Sequence, residues 1–386
     1  MALPSLFPHI PAGYCDEAES IPPFWLTTPE EVYHFLRTRI HLGTVETLAV
    51  SPGGRPVMAV SYGRPRAPGG TTTFSGTLGT RGQNIAYYRG ADAAKTVFAS
   101  MAAIHGGELD TIVGALNLLA VFETGHDLSG QAWPALVALR DQVDRIVIVP
   151  LLNPDGRARF PVRMEPYRGG APDSFFIHEY LNTGGYKDGS LIGWPAVKEF
   201  IPMDFSQFGF PGGYPNDAGV NLMHDDFMGQ PQPETRAMLD LCAREKPDLI
   251  LNMHTGVAKD DYYMEIHRPF CEPRGQPVFD AFYRHVKTRL TLEGLQGSPD
   301  PAVSANPARV SNFAYNLNTA LNLHSGGLCV TIESPCHGYS GTNRAGQPAI
   351  HSPETLLRTQ LLAYEESLAF LAKTGGRVGW DAGLQP

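Results

Sequence analysis

One run of nine residues, Asp144 to Leu152 (DRIVIVPLL), restricts the fold of this 386-residue chain more than any other stretch. It is almost entirely apolar and rich in β-branched residues, which is typical of a strand covered on both faces in a parallel sheet. Similar buried runs are predicted as strands at 95–103, 248–253 and 328–332. Segments with helical spacing alternate with them, at 111–122, 233–245, 277–292 and 353–371. The alternation predicts an α/β fold with a mixed, largely parallel central sheet flanked by helices.

Two segments fall outside this alternation. Residues 1–27 are rich in proline without sustained periodicity and are predicted to wrap the surface of the domain. Residues 169–218 are rich in glycine and aromatic residues, and they are predicted to form a lid-like insertion. Because no internal repeat or linker interrupts the pattern, residues 1–386 are predicted to form a single domain.

The composition argues against two classes of binding partner. The formal net charge is -9 without a long run of one sign, which argues against nucleic acid and anionic membranes, since both attract clustered Lys and Arg. No apolar stretch reaches the roughly 18 residues that span a bilayer. The five cysteines lack zinc-type pairing, so reduced thiols in a cytoplasmic protein are predicted. A peptide or another small molecule is therefore the expected substrate.

Polar residues suited to a metal site follow several predicted strands. His105 and Glu108 come after the strand at 95–103, His254 after 248–253, and Glu333 after 328–332. The carboxyl ends of parallel strands meet at one sheet edge, where α/β folds place their sites. Two histidines and one carboxylate bind zinc with a position left for water. A further carboxylate must accept the water proton, and Glu333 is the candidate.

Each signal is weak alone, because a His-x-x-Glu pair or a glutamate after a strand is more often a capping or salt-bridged group. Together they belong to a longer series, which continues with Asn153-Pro154-Asp155-Gly156, Gly219-Val220-Asn221-Leu222 and Thr331-Ile332-Glu333. In order and spacing the series resembles the zinc metallocarboxypeptidases, the carboxypeptidase A-like or funnelin family, over residues 28–372. The resemblance implies a zinc carboxypeptidase-like, phosphorylase/hydrolase-like fold and one Zn2+ cofactor.

The resemblance also implies roles for individual residues. His105, Glu108 and His254 would bind zinc, and Glu333 would be the general base. Asn221 stands where the family has a residue that orients a zinc-binding histidine.

The family's carbonyl-polarising arginine, counted from the Asn-Pro-Asp-Gly motif, falls on Arg168, with Arg159 and Arg163 as the alternatives. A guanidinium suits this task because it is permanently charged. Tyr315 is the candidate for the family's mobile tyrosine near the leaving group.

Two departures from the family concern the substrate. The Asn-Arg pair that holds a substrate's terminal carboxylate is Met223-His224 here, and the arginine that some relatives carry between the first two ligands is Gly107. Ordinary release of a C-terminal amino acid is therefore not expected. His224 and Asp225 are candidates for substrate binding, and so is His324, shortly before the Glu333 strand.

These observations predict a zinc-dependent hydrolase of amide bonds, either peptide or N-acyl. An N-acyl amino acid deacylase, an amidase or an esterase acting on a small molecule is the alternative. A catalytically silent ligand-binding relative is the second alternative, and the joint presence of the metal ligands and the base counts against it.

Overall fold

The structure is a computed structural model that describes residues 10, 15–16, 21–70, 89–164, 174–199, 201–257, 262–271, 274–298, 315–335, 341–342, 348–349 and 351–383. Its strands are β1 (Thr44–Val50), β2 (Pro56–Gly63), β3 (Val97–Ala102), β4 (Arg145–Val149), β5 (Gly185–Tyr186), β6 (Phe208–Phe210), β7 (Leu249–Val257), β8 (Tyr262–His267), β9 (Gln296–Gly297), β10 (Leu328–Pro335), β11 (Gly341–Thr342) and β12 (Pro348–Ala349).

The helices precede, separate and follow these strands along the chain. They are α1 (Pro29–Arg39), α2 (Leu109–Thr124), α3 (Pro134–Gln142), α4 (Pro154–Arg159), α5 (Ser174–Thr183), α6 (Pro233–Glu245), α7 (Gly275–Leu292), α8 (Leu317–Ser325), α9 (Pro353–Thr374) and α10 (Gly376–Asp381). Within the described residues, no helix combines the length and the apolar character that crossing a membrane requires.

The central sheet has the strand order β1-β2-β4-β3-β7-β10-β8-β9. Its middle strands, from β4 through β3 and β7 to β10, run parallel. Antiparallel pairs join β1 to β2, β2 to β4 and β10 to β8. The prediction of a mixed, largely parallel sheet flanked by helices is confirmed.

The buried apolar runs serve two cores, one on each face of the sheet. In β4, Ile146 and Ile148 enter the core formed with α1, α2, α3, α7 and α9, whereas Val147 and Val149 enter the core formed with α6 and α8. Successive strand residues point to opposite faces, so a strand covered on both sides must be apolar at every position. This is why DRIVIVPLL carries no polar alternation.

Several elements differ from the predictions. The Asn153-Pro154-Asp155-Gly156 motif, to which no helix or strand was assigned, opens α4, with Asn153 Oδ1 accepting from Gly156 N at 2.8 Å. Strand β8 and the helices α3, α5 and α8 were not predicted, although α5 and β8 both contribute to the cavity described below.

Candidate metal centre

Three strands deliver the metal-binding candidates to one edge of the sheet. His105 and Glu108 follow β3, whereas His254 lies in β7 and Glu333 in the adjacent strand β10. In the parallel β7–β10 pair, Glu333 lies directly beside His254. The parallel arrangement therefore brings together residues that lie more than two hundred positions apart in the chain.

The turn after β3 is held by specific contacts. Thr111 Oγ1 donates to the carbonyl of Glu108 at 2.7 Å and accepts from Ala103 N at 3.0 Å. A Cβ at Gly106 would lie 2.0 Å from Arg157 N, so only glycine fits there. Ala103 adopts a φ of 51°, which is uncommon outside glycine and occurs mostly where the surroundings enforce it. The two candidate ligands in this turn are therefore held on a rigid support.

The nitrogen and oxygen atoms of the three candidate ligands converge. His105 Nδ1 lies 2.7 Å from Glu108 Oε1, and His254 Nδ1 lies 3.1 Å from Glu108 Oε2. The ligand atoms of all three lie within 4.8 Å of one another. The side chains are buried, and two imidazoles with one carboxylate form a donor set that zinc prefers. The residues present therefore fit one zinc ion.

The close packing of one carboxylate and two imidazoles shifts the pKa of each group in this cluster. Burial would raise the pKa of Glu108, but the neighbouring His254 and His105 outweigh it and hold that pKa well below its usual range. Burial lowers the pKa of His105. Burial also opposes charge on His254, but the Glu108 carboxylate prevails and raises the pKa of His254 to about 8. The Glu108 side chain is thus an ionised carboxylate, the form that binds metal.

Asn221 and Tyr214 fix the His105 ring. Asn221 Oδ1 accepts from Met223 N at 3.0 Å and lies 3.2 Å from His105 Nε2, so a proton on Nε2 would have an acceptor and the Nδ1 lone pair would be left for a metal. The Tyr214 ring stacks on the imidazole, with centroids 3.6 Å apart and planes 6° apart. Asn153 Nδ2 donates to the carbonyls of Ile104 and Tyr214 at 3.2 and 2.9 Å. The Asn-Pro-Asp-Gly motif thereby ties the β3 turn to the segment that carries Tyr214.

Glu333 lies beside the metal cluster but outside it. Its Oε1 is 4.0 Å from His254 Nδ1, and 17% of its side chain is exposed. Burial raises the pKa of this carboxyl, and the nearby Glu108 and Glu265 act in the same direction. A Cβ at Gly256 would lie 2.9 Å from Glu333 Oε2. Glycine at this position therefore leaves room for the carboxylate.

A cavity of about 300 Å³ opens above the four residues. One wall comes from the segment between α5 and the short turn at Leu222–His224, with His178, Glu179, Asn182, Trp194, Tyr214, Asn221, Met223 and His224. The other comes from β7, β8, β10 and the start of α8, with Thr255, Gly256, Glu265, His267, Asn316 and Thr331. The site is therefore a partly open pocket with many polar side chains above a candidate metal centre.

Not every predicted substrate-binding residue reaches this cavity. His224 lines it, and burial lowers the pKa of His224 to about 3, so its imidazole is neutral at physiological pH. The Asp225 carboxylate instead accepts from Gln232 N and Thr235 Oγ1. His324 faces α6, where its ring forms a hydrogen bond with the backbone of Leu239.

Tyr315 is 72% exposed, and its ring lies 5.3 Å from that of Phe270. Among the described residues that line the cavity, Tyr315, Asp225 and His324 are absent. The structure therefore brings only His224 of the four predicted substrate-binding residues to the cavity.

Two of the three arginine candidates lie within the described residues. Arg168 lies outside the described residues. Arg159 donates to the carbonyls of Gly212 and Pro215 and forms an ion pair with Asp217 at 2.7 Å. Arg163 forms an ion pair with Glu31. Neither Arg159 nor Arg163 is among the described residues that line the cavity, and the role of Arg168 stays a prediction.

Other lining residues were not singled out from the sequence. Glu265 and His267 belong to β8, whose pairing with β10 has no local sequence signal. Asn182 lies in α5, and a Cβ at Gly107 would meet its Oδ1 at 2.5 Å and the Phe160 ring at 2.6 Å. The glycine between the first two ligands is thus required by the α5 side of the cavity, and an arginine would not fit there without rearrangement.

Comparison with known proteins gives a consistent picture. The family described as zinc carboxypeptidase matches residues 34–259. A metallo-carboxypeptidase from Burkholderia cenocepacia is 18% identical over 89% of this chain and 69% of its own, with a TM-score of 0.52. Carboxypeptidase A from Helicoverpa armigera is 12% identical over 96% of this chain and 78% of its own, with a TM-score of 0.51. At these identities the likeness to solved structures concerns the fold. No curated protein sequence matches the chain.

Proposed function

Because this chain belongs to the zinc carboxypeptidase family and is a zinc-dependent metallohydrolase, we propose that it cleaves an amide bond with Glu333 as the general base. The observation that carries the proposal is the position of Glu333. Its carboxylate borders the cavity, 4.0 Å from His254 Nδ1, while His105, Glu108 and His254 converge on one ion position. A base beside a metal cluster is the arrangement that metal-assisted hydrolysis requires.

The residues of the chain have separate tasks in this reaction. His105, Glu108 and His254 would hold zinc, which when bound lowers the pKa of a coordinated water and polarises a carbonyl. Glu333 accepts a proton as the water oxygen attacks the carbonyl carbon. It then delivers that proton to the nitrogen as the carbon–nitrogen bond breaks. The raised pKa of Glu333 suits both transfers, because a base titrating closer to neutrality exchanges protons more readily.

Arg168 is proposed to stabilise the negative charge that develops on the carbonyl oxygen. Support comes from its distance after Asn153 and from the engagement of Arg159 and Arg163 elsewhere. Removing one such donor costs catalysis about 100- to 1,000-fold in hydrolases. Arg168→Lys is the informative variant, because it keeps the charge and loses the planar fork.

The substrate is proposed to lack the free C-terminal carboxylate that carboxypeptidases bind. Support comes from the wall formed by Met223 and His224. A thioether has no charge, and the imidazole of His224 is neutral because burial lowers its pKa to about 3. Peptide bonds within a blocked chain and N-acyl amino acids both meet this description.

Metal analysis combined with Glu333→Gln tests the function. We expect the purified protein to contain zinc, and we expect the variant to retain zinc while turnover of peptide or N-acyl substrates falls about 100- to 10,000-fold. A panel of blocked peptides, N-acyl amino acids and the matching esters would identify the bond. Zinc-free protein after metal reconstitution, or unchanged turnover in Glu333→Gln, would refute the proposal.

A further inference from the structure

The insertion at 169–218 has a small apolar core of its own in the part that the structure describes. We call it the insertion core, and its buried members are Ile192, Val197, Met203, Phe208 and Tyr214. It is separate from the two cores on the faces of the central sheet. Small satellite clusters of this kind hold long segments together locally. We therefore expect the insertion to open at a lower free energy than the central sheet.

Tyr214 belongs both to the insertion core and to the metal centre. Its ring is 9% exposed and stacks on the His105 imidazole, with centroids 3.6 Å apart and planes 6° apart. One face of this candidate zinc ligand is therefore covered by a residue of the insertion core. Stacking between aromatic rings changes an equilibrium about 2- to 10-fold.

Backbone hydrogen bonds fasten Tyr214 and its neighbour to the turn that carries the ligands. Gly106 N, directly after His105, donates to the carbonyl of Gly213 at 2.8 Å. Tyr214 N donates to the carbonyl of Asn182 in α5 at 3.0 Å. A Cβ at Gly213 would lie 2.8 Å from Gly107 N, so the two segments are in close contact. The Gly213–Tyr214 segment cannot move away without breaking contacts to the metal-binding turn.

The same segment builds part of the cavity wall. Trp194 lies between Ile192 and Val197 in the chain, and both Trp194 and Tyr214 line the cavity. Opening of the insertion core would therefore remove this part of the wall and uncover one face of His105.

We propose that Tyr214 is a positioning residue that couples zinc binding at His105 to the closure of the insertion core. An imidazole held by a metal supports the Tyr214 ring, and the ring in turn supports the insertion core. Because linkage is reciprocal, the closed insertion raises the affinity for zinc by the same factor by which zinc favours closure. The inference goes beyond the proposed hydrolysis, since it makes assembly of the cavity wall depend on metal loading.

Amide hydrogen exchange of the metal-free and the zinc-loaded protein tests this coupling. Val197 N donates to the carbonyl of Gly193 at 3.0 Å and reports on opening of the insertion core. Among the described residues that line the cavity, Val197 is absent, so a change there must be transmitted. We expect zinc to slow exchange at Val197 about 2- to 10-fold beyond its effect on strand β4. Strand β4 reports the general stabilisation that any bound ligand gives.

Substitutions at Tyr214 separate the planar ring from mere bulk. Tyr214→Leu keeps apolar volume for the insertion core but loses the stack, whereas Tyr214→Phe keeps the stack. We expect the leucine variant to bind zinc about 2- to 10-fold more weakly in competition with a chelator, and the phenylalanine variant to bind it like the wild-type protein. The additional slowing at Val197 should disappear in Tyr214→Leu and persist in Tyr214→Phe.

Tyr186→Leu is the matched control. Tyr186 lies in the same insertion, is 37% exposed and is not among the described residues that line the cavity. This variant should leave the zinc affinity and the slowing at Val197 unchanged.

Equal zinc affinities of Tyr214→Leu and Tyr214→Phe, or additional slowing at Val197 that persists in Tyr214→Leu, would overturn this inference. If the leucine variant does not fold, the wild-type protein still decides, because zinc that slows Val197 no more than strand β4 would also overturn it. These outcomes are independent of the proposed function, which the turnover of Glu333→Gln tests separately.

Discussion

The floor and the walls of the cavity are built on different principles. The floor consists of His105, Glu108, His254 and Glu333, which stand at the ends of buried parallel strands or in the tight turn after one. The walls come from α5, the segment that leads to the Leu222–His224 turn, and strand β8, which lies between β10 and the edge strand β9. Rigid strand ends hold reacting groups in place, whereas elements at the periphery vary without disturbing the core. We therefore propose that the floor carries out the chemistry and that the walls determine the selectivity.

The largest effect should come from breaking the floor. His254→Ala removes one of three ligands and leaves the Glu108 carboxylate buried with a single imidazole. We expect the protein to lose zinc on dialysis and to lose measurable hydrolysis, because catalytic zinc needs three protein ligands. Metal content by mass spectrometry checks this, with the exposed His126→Ala as the matched control. Full zinc occupancy in His254→Ala would contradict the assignment of this ligand.

Substitutions at Asn221 test whether a residue of the cavity wall influences zinc binding in the floor. Asn221 Oδ1 lies 3.2 Å from His105 Nε2, and hydrogen-bond partners of metal-binding histidines typically change metal affinity about 10- to 100-fold. Asn221→Leu should therefore weaken zinc binding by that factor, measured by competition with a chelator. Asn221→Asp keeps the acceptor and should bind zinc at least as tightly as the wild-type protein. Equal affinities of the leucine and aspartate variants would show that the contact has no influence on the metal.

The sequence predicts the floor far better than the walls, for a physical reason. The four floor residues follow near-continuous apolar runs, and parallel strands must place their carboxyl ends together. Glu265 and His267 reach the cavity only because β8 turns back beside β10, and no local pattern encodes that pairing. Asn182 depends on where α5 packs, which a glycine- and aromatic-rich segment does not reveal. Individual polar residues near motifs, such as Asp225 and His324, turned out to serve local contacts instead.

His224→Arg should change the substrate preference set by the walls without changing the metal site in the floor. The guanidinium would replace a neutral imidazole in the cavity and could bind a carboxylate in bidentate fashion. We expect hydrolysis of peptides with a free C-terminal carboxylate to improve about 10-fold relative to the same peptides as amides. Kinetics on the paired substrates measure this ratio. His224→Gln, which is neutral, is the control, and an unchanged ratio in the arginine variant would count against His224 as the lost clamp position.

The smallest expected effect concerns the stability of segment 216–221, which ends at the residue that contacts His105. Burial raises the pKa of Glu234 to about 7, and Asn216 Nδ2 donates to this carboxyl at 3.2 Å from a segment that continues to Asn221. The folded state therefore binds more protons than the unfolded state from about pH 4.5 upward, so this group's contribution to the free energy of unfolding decreases as pH rises toward about 7.

Glu234→Gln removes that proton linkage while keeping an acceptor for Asn216. The variant should therefore gain stability relative to the wild-type protein between pH 5 and pH 8, by on the order of 2 kcal/mol. Urea unfolding at both pH values gives the two differences. If the difference in unfolding free energy between the variant and the wild-type protein is the same at both pH values, Glu234 is already ionised in the folded protein. Its hydrogen bond with Asn216 would then be charged rather than neutral.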